Sequence, residues 1–254
     1  MKVIFLGTGT SQGIPVIGSD HPVCMSKNPK DKRLRTSVYL EVDGVKMVID
    51  TGPDFRTQML DNNIQRLDAV LFTHEHRDHV AGFDDIRPFN FKQKMDMPVY
   101  GDERVCKGLK QAFPYIFVEK NRYPGAPGAE LHQIENKPFE VNGVEVTPIE
   151  VMHMNLPVFG YRFNDFTYIT DAKTIAAEEL EKIKGTKVLV LNALRVEEHY
   201  SHFNLEEALA VVDMVKPERA YFTHISHLLG FHDEVSNQLP KNVFLAYDGL
   251  EITI

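Results

Sequence analysis

Three imidazoles and two carboxylates crowd into the seven residues Thr73-His74-Glu75-His76-Arg77-Asp78-His79, directly after the apolar stretch Leu67–Phe72. The segment Asp68-Ala69-Val70-Leu71-Phe72 reads as a buried strand, so the run sits at a strand end. A turn with only a backbone role uses Gly, Asn, Asp or Ser, and histidine serves it poorly. Neutral imidazole with carboxylate is instead a donor set for zinc, or for a harder ion such as manganese. In an extended His74-x-His76 pair both rings point to one side, because strand side chains repeat every two residues. Asp78 and His79 are adjacent, so they are expected to face differently and to serve a second ion beside the first. The bland alternative is a solvated, histidine-rich turn. Matching donors elsewhere in the chain argue against it.

Those donors are His153, Asp171 and His224. His153 follows the β-branched run Val144–Val151, Asp171 ends Phe166-Thr167-Tyr168-Ile169-Thr170, and His224 ends Ala220-Tyr221-Phe222-Thr223. All three therefore fall at strand ends, where loops emerge and α/β proteins keep their sites. Singly, His153 and His224 read as surface histidines, and Asp171 as a cap for a helix starting near Thr174. Together they supply what the first motif lacks. Two metals need about four to six ligands each, water included, and a shared carboxylate is a usual bridge.

The order His-x-His-x-Asp-His, then His153, Asp171 and His224, resembles the metallo-β-lactamase superfamily. That resemblance implies an α/β fold, an αββα sandwich of two mixed sheets flanked by helices. It also implies roles: His74, His76 and His153 for a first metal, Asp78, His79 and His224 for a second, and Asp171 as the bridge. The flanks narrow it. Phe5-Leu6-Gly7-Thr8-Gly9-Thr10-Ser11-Gln12-Gly13-Ile14-Pro15, Arg33–Ser37 and Ile49-Asp50-Thr51-Gly52-Pro53-Asp54-Phe55-Arg56 resemble the branch containing the phosphonate-pathway phosphoribosyl cyclic phosphate phosphodiesterase. Gly160-Tyr161-Arg162, Tyr168–Asp171 and Thr223-His224-Ile225-Ser226-His227 extend the match over nearly the whole chain. The related ribonuclease that trims the 3′ end of transfer RNA shares the metal motif and the opening glycines. It usually carries a protruding basic arm, for which this sequence shows no counterpart.

Relatives in this branch often carry Cys-x-Cys-x-x-Cys near residue 19, which with the second histidine of His-x-x-His makes a structural zinc site. Here Ser19 and His21 stand where cysteines would be, leaving His21, Cys24 and His227 as zinc donors. His202 is the leading acid or base that is not a ligand, placed just before a helix that Asn204 would cap. In the resembling phosphodiesterases a histidine at this position acts on the leaving oxygen. Asp78 is expected to orient the nucleophile as well as to bind metal. Arg35, Arg56 and Arg195 are candidates for a phosphate clamp. The glycine-rich Gly7–Gly13 lacks a P-loop lysine and dinucleotide spacing, so it reads as a tight turn near the metal loops.

At 254 residues the chain has room for one large domain or two small ones. Ligands spread from His74 to His224 favour a single domain over 1–254. Strands are expected near Val3–Leu6, Val38–Val42, Val45–Ile49, Val70–Phe72, Val99–Tyr100, Val144–Ile149, Val158–Arg162, Phe166–Ile169, Val188–Leu191, Ala220–Phe222 and Val243–Leu245. Helices are expected near Asp54–Asn62, Glu103–Ala112, Thr174–Lys182, Leu205–Val215 and His232–Gln238. Tyr123–Gly128 reads as a surface loop. Two cysteines, the absence of a membrane-length apolar run, and a start that leads straight into a strand point to a cytoplasmic protein without a disulfide framework. A net charge of −8 does not suit a binder of long nucleic acid, although two divalent ions would make a pocket locally positive. The expectation is a metal-dependent hydrolase with two divalent ions, zinc or manganese, acting on a small phosphodiester, cyclic ones included. No membrane partner is expected, and a homodimer stays open. Alternatives are a transfer-RNA processing nuclease, a quinone-cofactor biosynthesis relative, and a metal-bound structural or sensing protein.

Overall fold

The computed structural model describes residues 1–118 and 123–254. Its strands are β1 (Lys2–Gly7), β2 (Ser37–Val42), β3 (Val45–Ile49), β4 (Ala69–Leu71), β5 (Met97–Gly101) and β6 (Ala129–Gln133). There follow β7 (Phe139–Val141), β8 (Val144–His153), β9 (Leu156–Phe163), β10 (Phe166–Tyr168) and β11 (Thr174–Ile175). The last are β12 (Val188–Asn192), β13 (Arg219–Thr223), β14 (Val243–Leu245) and β15 (Glu251–Thr253). One seven-stranded sheet runs β15-β1-β2-β3-β4-β5-β6; the other runs β11-β8-β9-β10-β12-β13-β14, with β7 added beside β8. Each sheet is antiparallel through its first four strands and parallel beyond. The two halves therefore repeat one pairing plan.

Strand alternation makes the layers. Val3 and Phe5 of β1 join Val38, Leu40, Met47, Ile49 and Leu71 in a core shared with Tyr161, Phe163, Phe166, Tyr168 and Val190 of the opposite sheet. Ile4 and Leu6 face the other way, onto α2 (Phe55–Asp61), α4 (Arg87–Gln93) and α5 (Glu103–Ala112) through Phe55, Met59, Phe89, Val105 and Leu109. On the far side, α6 (Ala177–Ile183), α7 (Leu205–Val215) and α8 (His232–Ser236) cover the second sheet through Ile183, Ala208, Val211, Val212 and Val235. This is the expected αββα sandwich of two mixed sheets. Two short helices complete it, α1 (Pro22–Met25) and α3 (Arg77–Val80). No helix among the described residues is long and apolar enough to cross a membrane.

Helices α5 and α7 span the residues expected for them. Asn204 and Glu207 form a reciprocal capping box at the start of α7. Two expectations need correction. Thr174 starts no helix: Thr174 and Ile175 pair antiparallel with Met152 and Val151, and α6 begins only at Ala177. Asp171 therefore caps nothing. The loop Tyr123–Gly128 is exposed only through Gly125, because Ala126–Gly128 pack inward and the Gly128 carbonyl accepts from Met97 N–H and Asn90 Nδ2. The glycine-rich opening is a turn, as expected. A Cβ at Gly7 would lie 2.0 Å from the Arg35 carbonyl oxygen, and Thr10 N–H donates to the Ile225 carbonyl, beside His224.

Candidate active site

Strands from both sheets deliver the donors at their ends, β8 from the antiparallel part and β4, β10 and β13 where the parallel pairing runs. His74 lies three residues past β4, His153 ends β8, Asp171 lies three past β10, and His224 follows β13. The second sheet holds the His74 loop in place: Phe159 N–H donates to the Thr73 carbonyl, and the Tyr161 hydroxyl to the Phe72 carbonyl at 2.6 Å. Asp50, Asp171 and His224 all adopt positive φ, at 65°, 58° and 54°. Such backbone strain in residues with a Cβ persists only where the surroundings enforce it, and it gathers at functional sites.

The rings converge. Centroids of His74 and His76 are 4.5 Å apart, those of His74 and His153 5.9 Å, and those of His76 and His153 5.3 Å. Donor atoms of Asp78, His79 and His224 lie within 4.8 Å of one another, as do those of His74, His79 and Asp171. Asp78 and His79 do not face apart, because the first turn of α3 brings His79 Nε2 within 3.3 Å of Asp78 Oδ2. Asp171 reaches His224 Nε2 at 3.2 Å through one oxygen and His79 Nε2 at 3.4 Å through the other. That central place suits a bridge. His202 Nε2 stands 3.0 Å from Asp171 Oδ1, and donor atoms of His153, Asp171 and His202 form a third compact trio.

These residues fit divalent cations on the chemistry of the donors themselves. His74 Nε2, His79 Nε2 and both ring nitrogens of His224 are buried without a hydrogen-bond partner. Buried polar atoms are seldom left so, and unpaired imidazole nitrogens beside carboxylates are what a metal would satisfy. The outer contacts orient these nitrogens. His79 Nδ1 donates to Asp50 Oδ2 at 2.7 Å and His153 Nδ1 to the Ser201 carbonyl at 2.9 Å, which turns each Nε2 inward. Asp50 also accepts from Thr73 N–H and Oγ1, and Asn192 grips Ala172 through both amide atoms.

Electrostatics agree. Burial pushes the Asp171 carboxyl up, yet His224, His79 and His202 together hold it well below the usual range. Asp78 is held down likewise, against burial, by His79 and His224. Burial lowers His79, but the carboxylates of Asp171, Asp78 and Asp50 win and raise it well above the ordinary imidazole value. The nest thus calls for positive charge. Burial drives His74 far down and His202 to about 4, so both rings rest neutral.

The chain belongs to the β-lactamase superfamily, whose domain model matches residues 46–225. With the donor cluster gathered at strand ends, the chain has the metallo-β-lactamase fold and falls in its PhnP-like branch. The branch rests on the crystal structure of a new diphosphatase from the PhnP family, 38% identical, with a TM-score of 0.93 over 100% of this chain and 97% of that one. Among curated proteins, an octanoyltransferase of Porphyromonas gingivalis is 40% identical over 257 residues, covering 100% of this chain and 52% of that protein. The chain spans about half or less of the length of the curated relatives it matches. Zinc-bound PqqB from Methylobacterium extorquens shares the fold at 17% identity and a TM-score of 0.81, covering 100% of both chains.

Other expected residues fall elsewhere. Arg35 is committed to Asp54 and the Ser11 carbonyl, Arg56 lines a cavity with Asp85, and Arg195 bonds carbonyls of its own loop. His21 and His227 meet edge-on with centroids 4.9 Å apart, and Cys24 is buried nearby. Among the described residues, no trio that includes these three has its donor atoms within 4.8 Å. Sequence reasoning missed Asp50, Asn192 and Ser201 as outer contacts. Asp50 had a usable signal, a carboxylate directly after the buried strand Val45–Ile49.

Proposed function

We propose that this chain is a dinuclear-metal-dependent phosphodiesterase hydrolysing a small phosphodiester, cyclic diesters included. The observation that carries the reading is His202: an imidazole beside the donor cluster, hydrogen-bonded to Asp171, where a leaving oxygen needs a proton. The diphosphatase relative supports chemistry at a phosphorus–oxygen bond. His74, His76 and His153 would hold one ion, Asp78, His79 and His224 the other, with Asp171 shared. When bound, zinc or manganese ions supply Lewis acidity to phosphoryl oxygens and lower the pKa of water.

The protein groups do the rest. Asp78 accepts a hydrogen bond from the attacking water and orients it. As the bond from phosphorus to the leaving oxygen breaks, that oxygen takes the bonding pair and a proton from His202 Nε2. The ring takes up the proton that the attacking water loses, so it gives its own as an imidazolium and returns neutral. Such acid catalysis is typically worth about 10²–10⁴-fold. Asp50 and the Ser201 carbonyl keep His79 and His153 turned inward throughout.

A metal-resolved screen tests this reading. Purified protein loaded with zinc or manganese would be offered cyclic phosphoribosyl, cyclic nucleotide, linear diester and diphosphate substrates. Turnover of a small diester is expected. Cleavage of precursor transfer RNA alone would move the chain to the nuclease reading, against its net charge of −8. Octanoyl transfer is the further arm, because the relative so named extends well beyond this match. No phosphodiester turnover at full metal content would overturn the proposal.

A further inference from the structure

Ser201 touches two site residues with different parts of itself. Its carbonyl accepts from His153 Nδ1 at 2.9 Å, and its hydroxyl lies 3.0 Å from His202 Nδ1 and 3.2 Å from His199 Nδ1. The loop is pinned beside Asp171, because Phe203 N–H donates to the Ala172 carbonyl at 2.7 Å and Leu194 N–H to the Phe203 carbonyl. We infer that Ser201 is a positioning residue whose hydroxyl donates to His202 Nδ1 and thereby fixes that ring's hydrogen on Nε2, toward Asp171. The catalytic consequence rests on the function proposed above; the hydrogen-bond assignment does not.

The assignment follows from donor counting. The Asp171 carboxylate can only accept, so His202 Nε2, 3.0 Å away, must carry a hydrogen. A neutral imidazole has one hydrogen, which leaves Nδ1 as an acceptor. Two groups face that nitrogen. His199 Nδ1, at 3.2 Å, already accepts from Ser201 N–H and has no hydrogen to offer. The Ser201 hydroxyl does, and the residue is buried away from solvent. Without the hydroxyl, two lone pairs would meet at 3.2 Å. The pair relaxes when His202 moves its hydrogen to Nδ1 and donates to His199, which takes the hydrogen off the side facing Asp171. The ring can also swing away. Either way the transferable hydrogen is misplaced. The contact to His153 uses the backbone, so Ser201→Ala removes one function and spares the other.

Ser201→Ala, Ser201→Thr and His202→Ala would be compared by ¹⁵N NMR of the histidine rings in metal-free protein, and by turnover of metal-loaded protein. Wild-type His202 is expected as the Nε2–H tautomer, Ser201→Ala shifted toward Nδ1–H, and Ser201→Thr restored. The alanine variant should lose about tenfold or more in kcat on a poor leaving group, less than the 10²–10⁴ typical of removing a general acid. Its KM and metal content should hold, as should its kcat on a nitrophenyl diester. A wild-type Nδ1–H tautomer, or an alanine variant with unchanged tautomer and unchanged kcat, overturns the inference. If His202→Ala itself shows no dependence on the leaving group, the proposed function fails while the NMR result still decides the hydrogen bond.

Discussion

Around Asp171, buried imidazole nitrogens of His74, His79 and His224 stand without hydrogen-bond partners. Beside α1 two atoms of the second group of donors are already in use. His21 Nδ1 accepts from Val23 N–H at the start of α1, and Cys24 Sγ accepts from Val16 N–H at 3.5 Å. Only His227 Nδ1 there is buried and unpaired. Both groups look like metal ligands in sequence, and the difference lies in what stands behind each ring. Asp50 and the Ser201 carbonyl take the outer nitrogens of His79 and His153, freeing the inner ones. In the second group the ring itself serves as the helix cap. At His79 and His153 an outer contact leaves the inner nitrogen free to serve as a ligand, whereas His21 spends a ring nitrogen on its own helix.

The largest expected effect breaks the first region outright. Asp171→Ala removes the carboxylate whose two oxygens reach His79 and His224 separately, so metal content and hydrolysis should fall together to background. Two metal equivalents per chain with near-normal turnover, measured by elemental analysis and kinetics, would exclude Asp171 as the bridge.

Next in size is His202→Ala. His202 lies in a compact trio with His153 and Asp171, so the structure leaves it near enough to be a ligand. The expected result is that both ions stay while kcat falls about 10²–10⁴-fold on a poor leaving group, and less on a nitrophenyl diester. Loss of metal, or equal slowing on both substrates, would make His202 a ligand instead and pass the acid role to His199.

What could be read from the sequence divides along similar lines. Thr73–His79, His153, Asp171 and His224 were legible because each follows an apolar run that can only be a buried strand. Helix α7 was legible from its apolar period and from Asn204 three residues ahead of Glu207. Strand β11 was not, since two residues carry no period and their pairing with Met152 and Val151 is set from across the fold. Ser201 was hidden for the same reason: its carbonyl serves His153, which lies far off in sequence.

A third test probes how the second region is anchored. Buried Arg33 donates to Thr8 Oγ1, the Ala246 carbonyl and His232 Nδ1, clamping the loop that carries His21 and Cys24. Burial, then Arg33, lowers His232 from 6.5 to about 4, so the unfolded chain takes that proton first. Acidification from pH 6.5 to 4 therefore costs stability through His232. Burial raises Asp248, which joins the same clamp by accepting from Thr8 Oγ1 and Leu34 N–H, from 3.8 to about 6, so here the folded chain takes the proton first and acidification adds stability. In the wild type the two oppose each other. Relative to it, His232→Asn should gain about 1–3 kcal/mol between pH 7 and 4, and Asp248→Asn should lose a similar amount. Urea midpoints measured across that range would show this. Parallel pH profiles for all three proteins would remove both groups from the clamp.

The smallest effect bears most directly on the comparison. Cys24 is buried against Ile14 and Val23, so Cys24→Ser places a hydroxyl among apolar neighbours and should cost about 1 kcal/mol. Its distance from the proposed chemistry predicts unchanged kcat. With His21 and Cys24 already hydrogen-bonded, any metal held with His227 should be weak and should leave to a mild chelator before the catalytic pair. The stability cost of Cys24→Ser should then be the same in zinc and in chelator, read as the shift in urea midpoint under each condition. A cost that appears only in zinc-replete protein would mean that the three donors close around a metal despite their arrangement here. The two regions would then differ in affinity alone, since outer contacts would no longer decide which histidines become ligands.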